Sequence, residues 1–491
     1  MGDTSLMEIL QEKDLLEPLF KESKSSDLTE TLEILTEVAR TDSGRSNLAS
    51  KQILPVVLRL CKSIPYPKGK DYLALALKLL RNLCAGEVVN QSCFIWSDGV
   101  DIVSNVLRSV GFGPNPDFGI VRAGLQVLAN VSLAGQEHQQ AIWQRLFPDG
   151  FLMLAKVRSR ETFDPLCMII YVCCDGNPGM FSELCGDQGL PTVAEIVRTA
   201  SAVGFGQDWF KLIISRICLE DVYFPQIFST LYSADGVEGI GESGDSFTAA
   251  RAYLLRIVSD ILNERLEEVE FTVPAEFAVC VFGIFMRSAS LNDPFARGDS
   301  ALPTGSTATD VLGYSLTILR DLCARDGRYG LEEGRADVVD TLLSNGLLQL
   351  LLGLLGDLEP PAIISKALKQ VENQEASTSS SHKPCPYKGF RRDLVAVIAN
   401  CVYRRKHAQD EIRERNGILL LLQQCVTDEN NPFLREWGIW CVRNLLEGNE
   451  ENKLAVAELE LQGTVDMPEL SRIGLRVEVD PKTRRPKLVN T

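Results

Sequence analysis

Histidine is nearly missing from this chain of 491 residues: it has three, His138, His382 and His407. None stands at metal-ligand spacing from a second ligand type. That scarcity argues against catalytic triads and zinc hydrolase sites, which need a histidine placed beside a nucleophile or a metal. Long apolar runs are also lacking. The longest, 347–355 and 418–422, fall short of the ~20 residues that a spanning helix needs, so no membrane insertion is expected. Positive charge is in deficit, with 50 Lys+Arg against 66 Asp+Glu and a net charge of −16. Phosphate backbones and anionic lipid surfaces would repel the molecule as a whole, so nucleic acid is not an expected partner. The opening MGDTSLMEILQEKDLLEPLF has early acids and no charged, then apolar, then small-residue order, so no secretory leader is expected. GIGESG at 239–244 fits the dinucleotide-binding expression, but no strand precedes it, and it reads as a loop. No cofactor, metal or small-molecule substrate is expected, and the chain is not expected to be an enzyme.

What the chain does have is leucine, alanine and cysteine in helical runs. Hydrophobic residues make up 45%, enough for a large interior. The 14 cysteines fall mostly in apolar stretches, as Cys84, Cys218, Cys323, Cys401 and Cys441 do, which suits small core residues in a reducing, cytosolic compartment. The pair Cys173-Cys174, with Cys167 and Cys185, lies in an apolar helix without a nearby cation and is expected to pack rather than react. A single core rarely grows past ~250 to 300 residues, so the chain must be multidomain or a solenoid.

A repeated pattern decides between these. LKLLRNLCAG (77–86), LQVLANVSLAG (125–135), MIIYVCCDG (168–176), LIISRICLED (212–221), LLRIVSDIL (254–262), LTILRDLCARD (316–326), LVAVIANCVYRR (394–405) and GIWCVRNLLEG (438–448) align as one motif. The alignment sets Asn82, Asn130, Val172, Arg216, Asp260, Asp321, Asn400 and Asn444 at one position. Five of the seven intervals run from 42 to 48 residues, close to the period of HEAT and armadillo arrays. One such helix cannot bury its own face, so neighbours must stack. The fold class is therefore all-α, an armadillo/HEAT-like α-solenoid. The two long intervals hold polar insertions. The expected organisation is a repeat array over 1–369 with a flexible loop at 288–310, a disordered linker at 370–387, C-terminal repeats at 388–480 and a basic tail at 481–491.

Candidate binding residues follow from the face on which the aligned helices meet solvent. Asparagine at that position in four repeats fits two roles: holding an extended peptide through its amide, or satisfying a backbone group between neighbouring helices. Asn82, Asn130, Asn400 and Asn444 are partner-binding candidates on the first. Trp440 precedes Asn444 by four residues and shares its face. Trp437 fits either groove or core. Arg391, Arg404 and Arg443, with 387–390, complete the candidate set. The basic stretch from Lys388 to Arg415 fits either a patch for an acidic partner or a solvated face.

The C-terminal segment YKGFRRDLVAVIANCVYRRKHAQDEIRERNGILLLLQQCVTDENNPFLREWGIWCVRNLLEGNEENKLAVAEL, followed by GLRVEVDPKTRRPKL, resembles the C-terminal domain of the ataxin-10 family. The resemblance implies a cytoplasmic, non-enzymatic adaptor that works through protein partners bound on a concave helical surface and can self-associate. Animal members of that family are tied to neurite outgrowth, cytokinesis and cilia. Their partners include a heterotrimeric G-protein β subunit and the cytosolic O-linked N-acetylglucosamine transferase. Two other expectations stand beside the adaptor: an armadillo-type regulator that promotes nucleotide exchange on a GTPase, and a self-assembling structural protein.

Overall fold

The structure, a computed structural model, describes residues 13–111, 116–204, 206, 208–232, 247–265, 267–268, 271–291, 298, 300–326, 337–365, 382–459, 475–479 and 486–490. The GIGESG segment lies outside the described residues.

All eight aligned motifs are helical, and an earlier helix packs against the first of them. In chain order these helices, called row helices for their shared alignment, are α1 (Leu28–Val38), α2 (Lys70–Leu83), α3 (Phe118–Ser132), α4 (Arg160–Cys174), α5 (Asp208–Ser215), α6 (Ala249–Glu264), α7 (Thr307–Asp326), α8 (Phe390–Val402) and α9 (Leu434–Leu446). A π-helical turn, Arg216–Glu220, extends α5. The contacts form two compact units, residues up to 239 with 248–257, and 258 onward with 240–247. In the first unit α1 packs on α2, α2 on α3, α3 on α4 and α4 on α5; in the second α7 packs on α8 and α8 on α9.

Sequence explains why these helices end up inside. In α2 the residues Leu73, Ala76, Leu77, Leu79, Leu80 and Leu83 are buried. That spread is wider than one amphipathic stripe, as befits a helix flanked by two row neighbours and backed by a second layer. The backing helix Ile53–Ser63 packs on both α2 and the next backing helix, Gly99–Gly111. Short helices turn the chain between layers, among them Val88–Trp96, Gln136–Leu146, Pro178–Cys185 and Lys406–Glu414. Three helices per repeat make each unit an armadillo-type array.

Four positions after the aligned residue the chain reverses through the left-handed region. Gly86, Gly176 and Gly448 each sit there at φ 70°. Glycine meets no steric penalty in that conformation, so it ends the row helix and releases the chain toward the short helix. At Arg404 the same place is filled by a side chain, at φ 57°.

The expected division after residue 369 does not coincide with a break in packing. The helix Leu347–Asp357 packs on α8, and α7 on α8. The 388–459 repeats thus continue one unit that begins upstream of the insertion. The insertion over 288–310 is helical at both ends, where Ala275–Leu291 stops and α7 starts. Between them Gly298 N donates to Cys385 O at 3.2 Å and Lys388 N to Ser300 O at 3.0 Å. Two polar inserts thereby satisfy each other's backbone. Most of the expected linker, 370–381, lies outside the described residues. Strands Leu475–Val479 and Pro486–Asn490 pair antiparallel, Leu475 opposite Asn490, so the basic tail includes one arm of a hairpin that helical periodicity could not reveal.

Candidate functional site

The aligned asparagines form a ladder between neighbouring row helices. Asn82 Nδ2 donates to Thr36 O at 3.1 Å, Asn130 to Arg81 O at 2.8 Å, Asn400 to Arg320 O at 3.2 Å and Asn444 to Ala399 O at 3.0 Å. Arg216, at the equivalent position, reaches Cys174 O at 3.1 Å. Thr36, Arg81, Cys174 and Ala399 all lie in the last turn of their helices, whose carbonyls have no partner within the helix. The amide nitrogens that would clasp a peptide backbone are therefore committed to the preceding repeat. Of the two roles open to Asn82, Asn130, Asn400 and Asn444, the amide nitrogens take the second, bonding a backbone carbonyl of the preceding repeat; where that carbonyl is buried and otherwise unpaired, losing the bond would cost ~1–3 kcal/mol.

A second set of amides closes the other side of the same joint, and sequence reading missed it. Gln91 Nε2 donates to Cys84 O at 3.0 Å and to Asn130 O at 2.9 Å. Gln409 Nε2 likewise serves Val402 O at 3.3 Å and Asn444 O at 2.9 Å. Gln139 reaches Ser132 O at 3.2 Å, and Asn452 reaches Leu445 O at 3.0 Å. The signal was an amide residue nine positions after the aligned one, as in Gln91, Gln139 and Gln409. Asn90, which reads as part of a glycosylation sequon, is buried and donates to Leu83 O at 2.9 Å.

Where this joint meets solvent on α7, α8 and α9 there is a cavity of about 560 Å³. Trp437, Trp440 and Tyr403 supply its aromatic walls, Asn400 and Asn444 its polar floor, and Arg404 and Glu436 its charged rim. Trp440 is 50% exposed, unusual for a side chain of that area. Trp437 is half-buried, so it belongs to both groove and core. The Arg443 guanidinium sits 5.2 Å from the Trp440 ring centroid, and that of Arg404 5.0 Å from Tyr403. Five candidates from the sequence, Asn400, Arg404, Trp437, Trp440 and Asn444, line this one cavity, and Arg443 adjoins it. Asn82 and Asn130 belong to the other unit.

Arg391 does not join them. It is 3% exposed, donates to Gln424 Oε1 at 3.2 Å and to Glu359 O, and stands 3.9 Å from Asp428. Its guanidinium ties the chain after Leu347–Asp357 to the C-terminal repeats. Tyr387 and Phe390 are likewise buried, their rings 5.3 Å apart. The Tyr387 hydroxyl donates to Asp393 Oδ2 at 2.9 Å. Burial first, and that carboxylate second, hold its pKa well above the usual phenol range. The basic stretch is mostly neutralised: Arg392 pairs with Asp393 at 2.7 Å, Arg405 with Asp337 at 2.7 Å, Lys406 with Asp410 at 2.8 Å and Arg415 with Glu411 at 2.8 Å.

The cysteines sit in apolar surroundings. Burial pushes the Cys173 and Cys185 thiols up to about 12, and Cys174 higher still. A thiol so placed is almost wholly protonated at neutral pH and a poor nucleophile or ligand. Among the described residues no group of three or more His, Cys, Asp or Glu could hold a metal ion. No single helix among them is long and apolar enough to cross a membrane.

Stacked three-helix repeats with asparagine rungs between the inner helices define an armadillo-type repeat protein. Comparison with known proteins narrows the class. Residues 390–488 match the family model described as the spinocerebellar ataxia type 10 protein domain. Ataxin-10 of Bos taurus is 24% identical over 481 residues, covering 91% of this chain and 92% of its own. The ataxin-10 homolog of Candida albicans is 37% identical over 93 residues, 19% of this chain and 20% of its own. A designed armadillo repeat protein in complex with the peptide (KR)4 overlays on 50% of this chain and 98% of its own, at 14% identity and a TM-score of 0.29. The chain is similar to ataxin-10 proteins over 91% of its length and matches the domain model over residues 390–488.

Proposed function

We propose that this protein is a non-enzymatic, cytosolic interaction scaffold that binds a partner protein in the groove formed by α7, α8 and α9. The half-exposed Trp440 beside a cavity of about 560 Å³ carries the reading. An indole exposed on a repeat face without a partner costs solvation, and aromatic side chains of this kind are the usual energetic centres of protein interfaces. The family resemblance supports the adaptor role and its tie to cell division and growth.

The test is quantitative affinity capture with full-length protein, wild type against Trp440→Ala. Trp440 is half exposed, so its truncation should leave the melting temperature nearly unchanged while removing a defined set of captured proteins. A capture profile identical for the two proteins would refute the groove as the binding site. Asn444→Ala is not a suitable companion variant, because that amide holds α8 and α9 together.

A further inference from the structure

The charges around the groove specify what kind of segment fits it. We infer that the occupant is an acidic segment of a partner protein, with one aromatic or large aliphatic side chain flanked by carboxylates. The inference rests on the groove being the binding site.

The first support is the uneven neutralisation of the surrounding cations. Arg392, Arg405, Lys406, Arg413 and Arg415 each have a carboxylate within ion-pair distance. Among the described residues no carboxylate lies within that distance of Arg404 or Arg443, the two that flank the cavity. Each instead has its guanidinium near an aromatic ring of the groove, Tyr403 or Trp440. A cation resting on a ring keeps its donors for another partner, since the ring occupies its face and leaves its N–H edge open. A carboxylate from an incoming chain can take that edge.

The second support is the backbone at Arg404. Its φ of 57° is the conformation that Gly86, Gly176 and Gly448 adopt at the same place in other repeats. For a residue with a Cβ this costs roughly 1–2 kcal/mol. Glycine, or asparagine, would serve the turn better. An arginine occupies that position despite the cost and stands at the cavity rim. Strain of this sort collects where a side chain is held for function.

The cavity supplies the apolar half. Its volume lies within the range of side-chain and ligand pockets, and Trp437, Trp440 and Tyr403 form a wall for one large apolar group. Asn400 gives its nitrogen to Arg320 O, which leaves its Oδ1 as an acceptor for a backbone N–H of an extended segment. Glu436 at the rim is the one acid lining the cavity. It repels a carboxylate on its side, so the segment's acids must fall toward Arg404 and Arg443.

The experiment measures binding of fluorescein-labelled pools of short synthetic peptides to the full-length chain by anisotropy. The pools share a central Trp, Phe or Leu and differ in flanks: Asp/Glu, Lys/Arg, or Ser. A further acidic pool has Ala at the centre. Acidic flanks with the anchor should bind best, with affinity falling as salt rises. Arg404→Glu/Arg443→Glu should weaken that pool about tenfold or more and strengthen the basic one, as charge reversal at an interface does. Trp440→Ala should weaken every anchored pool, and the Ala-centred pool should bind poorly. If basic or neutral pools bind as well as acidic ones, with binding still dependent on Trp440, the groove stands and the inferred acidity is overturned. If no pool binds, or binding ignores both Trp440 and the two arginines, the groove reading itself fails.

Discussion

Replacing Asn444 by alanine should destabilise the second unit while leaving the groove's aromatic walls chemically intact. Asn444 is 2% exposed, so water cannot substitute for it. Its Nδ2 is the donor to Ala399 O at 3.0 Å, and that carbonyl stands in the last turn of α8, without a partner inside the helix. Losing the bond itself costs ~1 kcal/mol, and stranding a buried carbonyl raises the total to ~1–3 kcal/mol. Truncation also opens a small void between α8 and α9, so the upper half of that range is expected. Hydrogen exchange on the full-length chain reads this directly. A loss of ~2 kcal/mol corresponds to a roughly thirtyfold fall in protection of amides in α8 and α9 if they exchange through unfolding of that unit. Asn444→Asp should be worse, since a carboxylate has no donor for Ala399 O. The half-exposed Asn82 should cost less when cut back, because solvent can reach Thr36 O. Unchanged protection in Asn444→Ala, together with lost partner binding, would refute the ladder and restore the asparagine to a peptide-binding role.

Two further predictions follow from packing and burial. A Cβ on Gly438 would stand 2.6 Å from Gln424 O, a backbone atom that cannot swing away, so Gly438→Ala should cost about 1–3 kcal/mol in urea unfolding; an unchanged midpoint would show that α9 does not approach that turn so closely. Burial raises the Cys61 and Cys173 thiols from 9.0 to about 12. A raised folded-state pKa means that the stability contribution is complete below about pH 9 and is lost as pH climbs toward 12. Relative to wild type, Cys61→Ala should therefore show a flatter loss of stability above pH 9, and parallel curves would contradict the burial.

Much of the row was legible because its signal is strong and local. Leucine spacing and the recurring Asn at one helix position located all eight later row helices, and the resemblance in the last hundred residues falls where the domain model matches. The first row helix, Leu28–Val38, was missed because its closing residues are Thr36, Glu37 and Val38 rather than the Asn-Leu-Cys pattern. The bounds of turning helices such as Lys406–Glu414 were harder to read, because they are short and polar and periodicity is weak over nine residues.

For the candidate site, sequence reading named residues that the fold brings together but could not separate two jobs. Asn400, Arg404, Trp437, Trp440 and Asn444 do converge, because the repeat brings α8 and α9 side by side with their aligned positions in register. What spacing could not tell was which polar atoms were already taken. An aligned asparagine points along the row as readily as out of it, and the choice depends on a carbonyl some forty-five residues away, as with Ala399. Arg391 illustrates the same limit. Its neighbours in sequence suggested a basic surface, whereas Glu359 O, Gln424 and Asp428 come from distant segments that only the fold assembles.

The most direct test of the groove is a footprint of the bound state, in which full-length protein is labelled with a photoactivated carbene in the presence and absence of a captured partner. The structure predicts protection of Tyr403, Trp437 and Trp440, with the exposed Trp96 of the other unit unchanged as the internal control. Protection elsewhere on the chain, with labelling of those three aromatic residues unaltered by the partner, would contradict it.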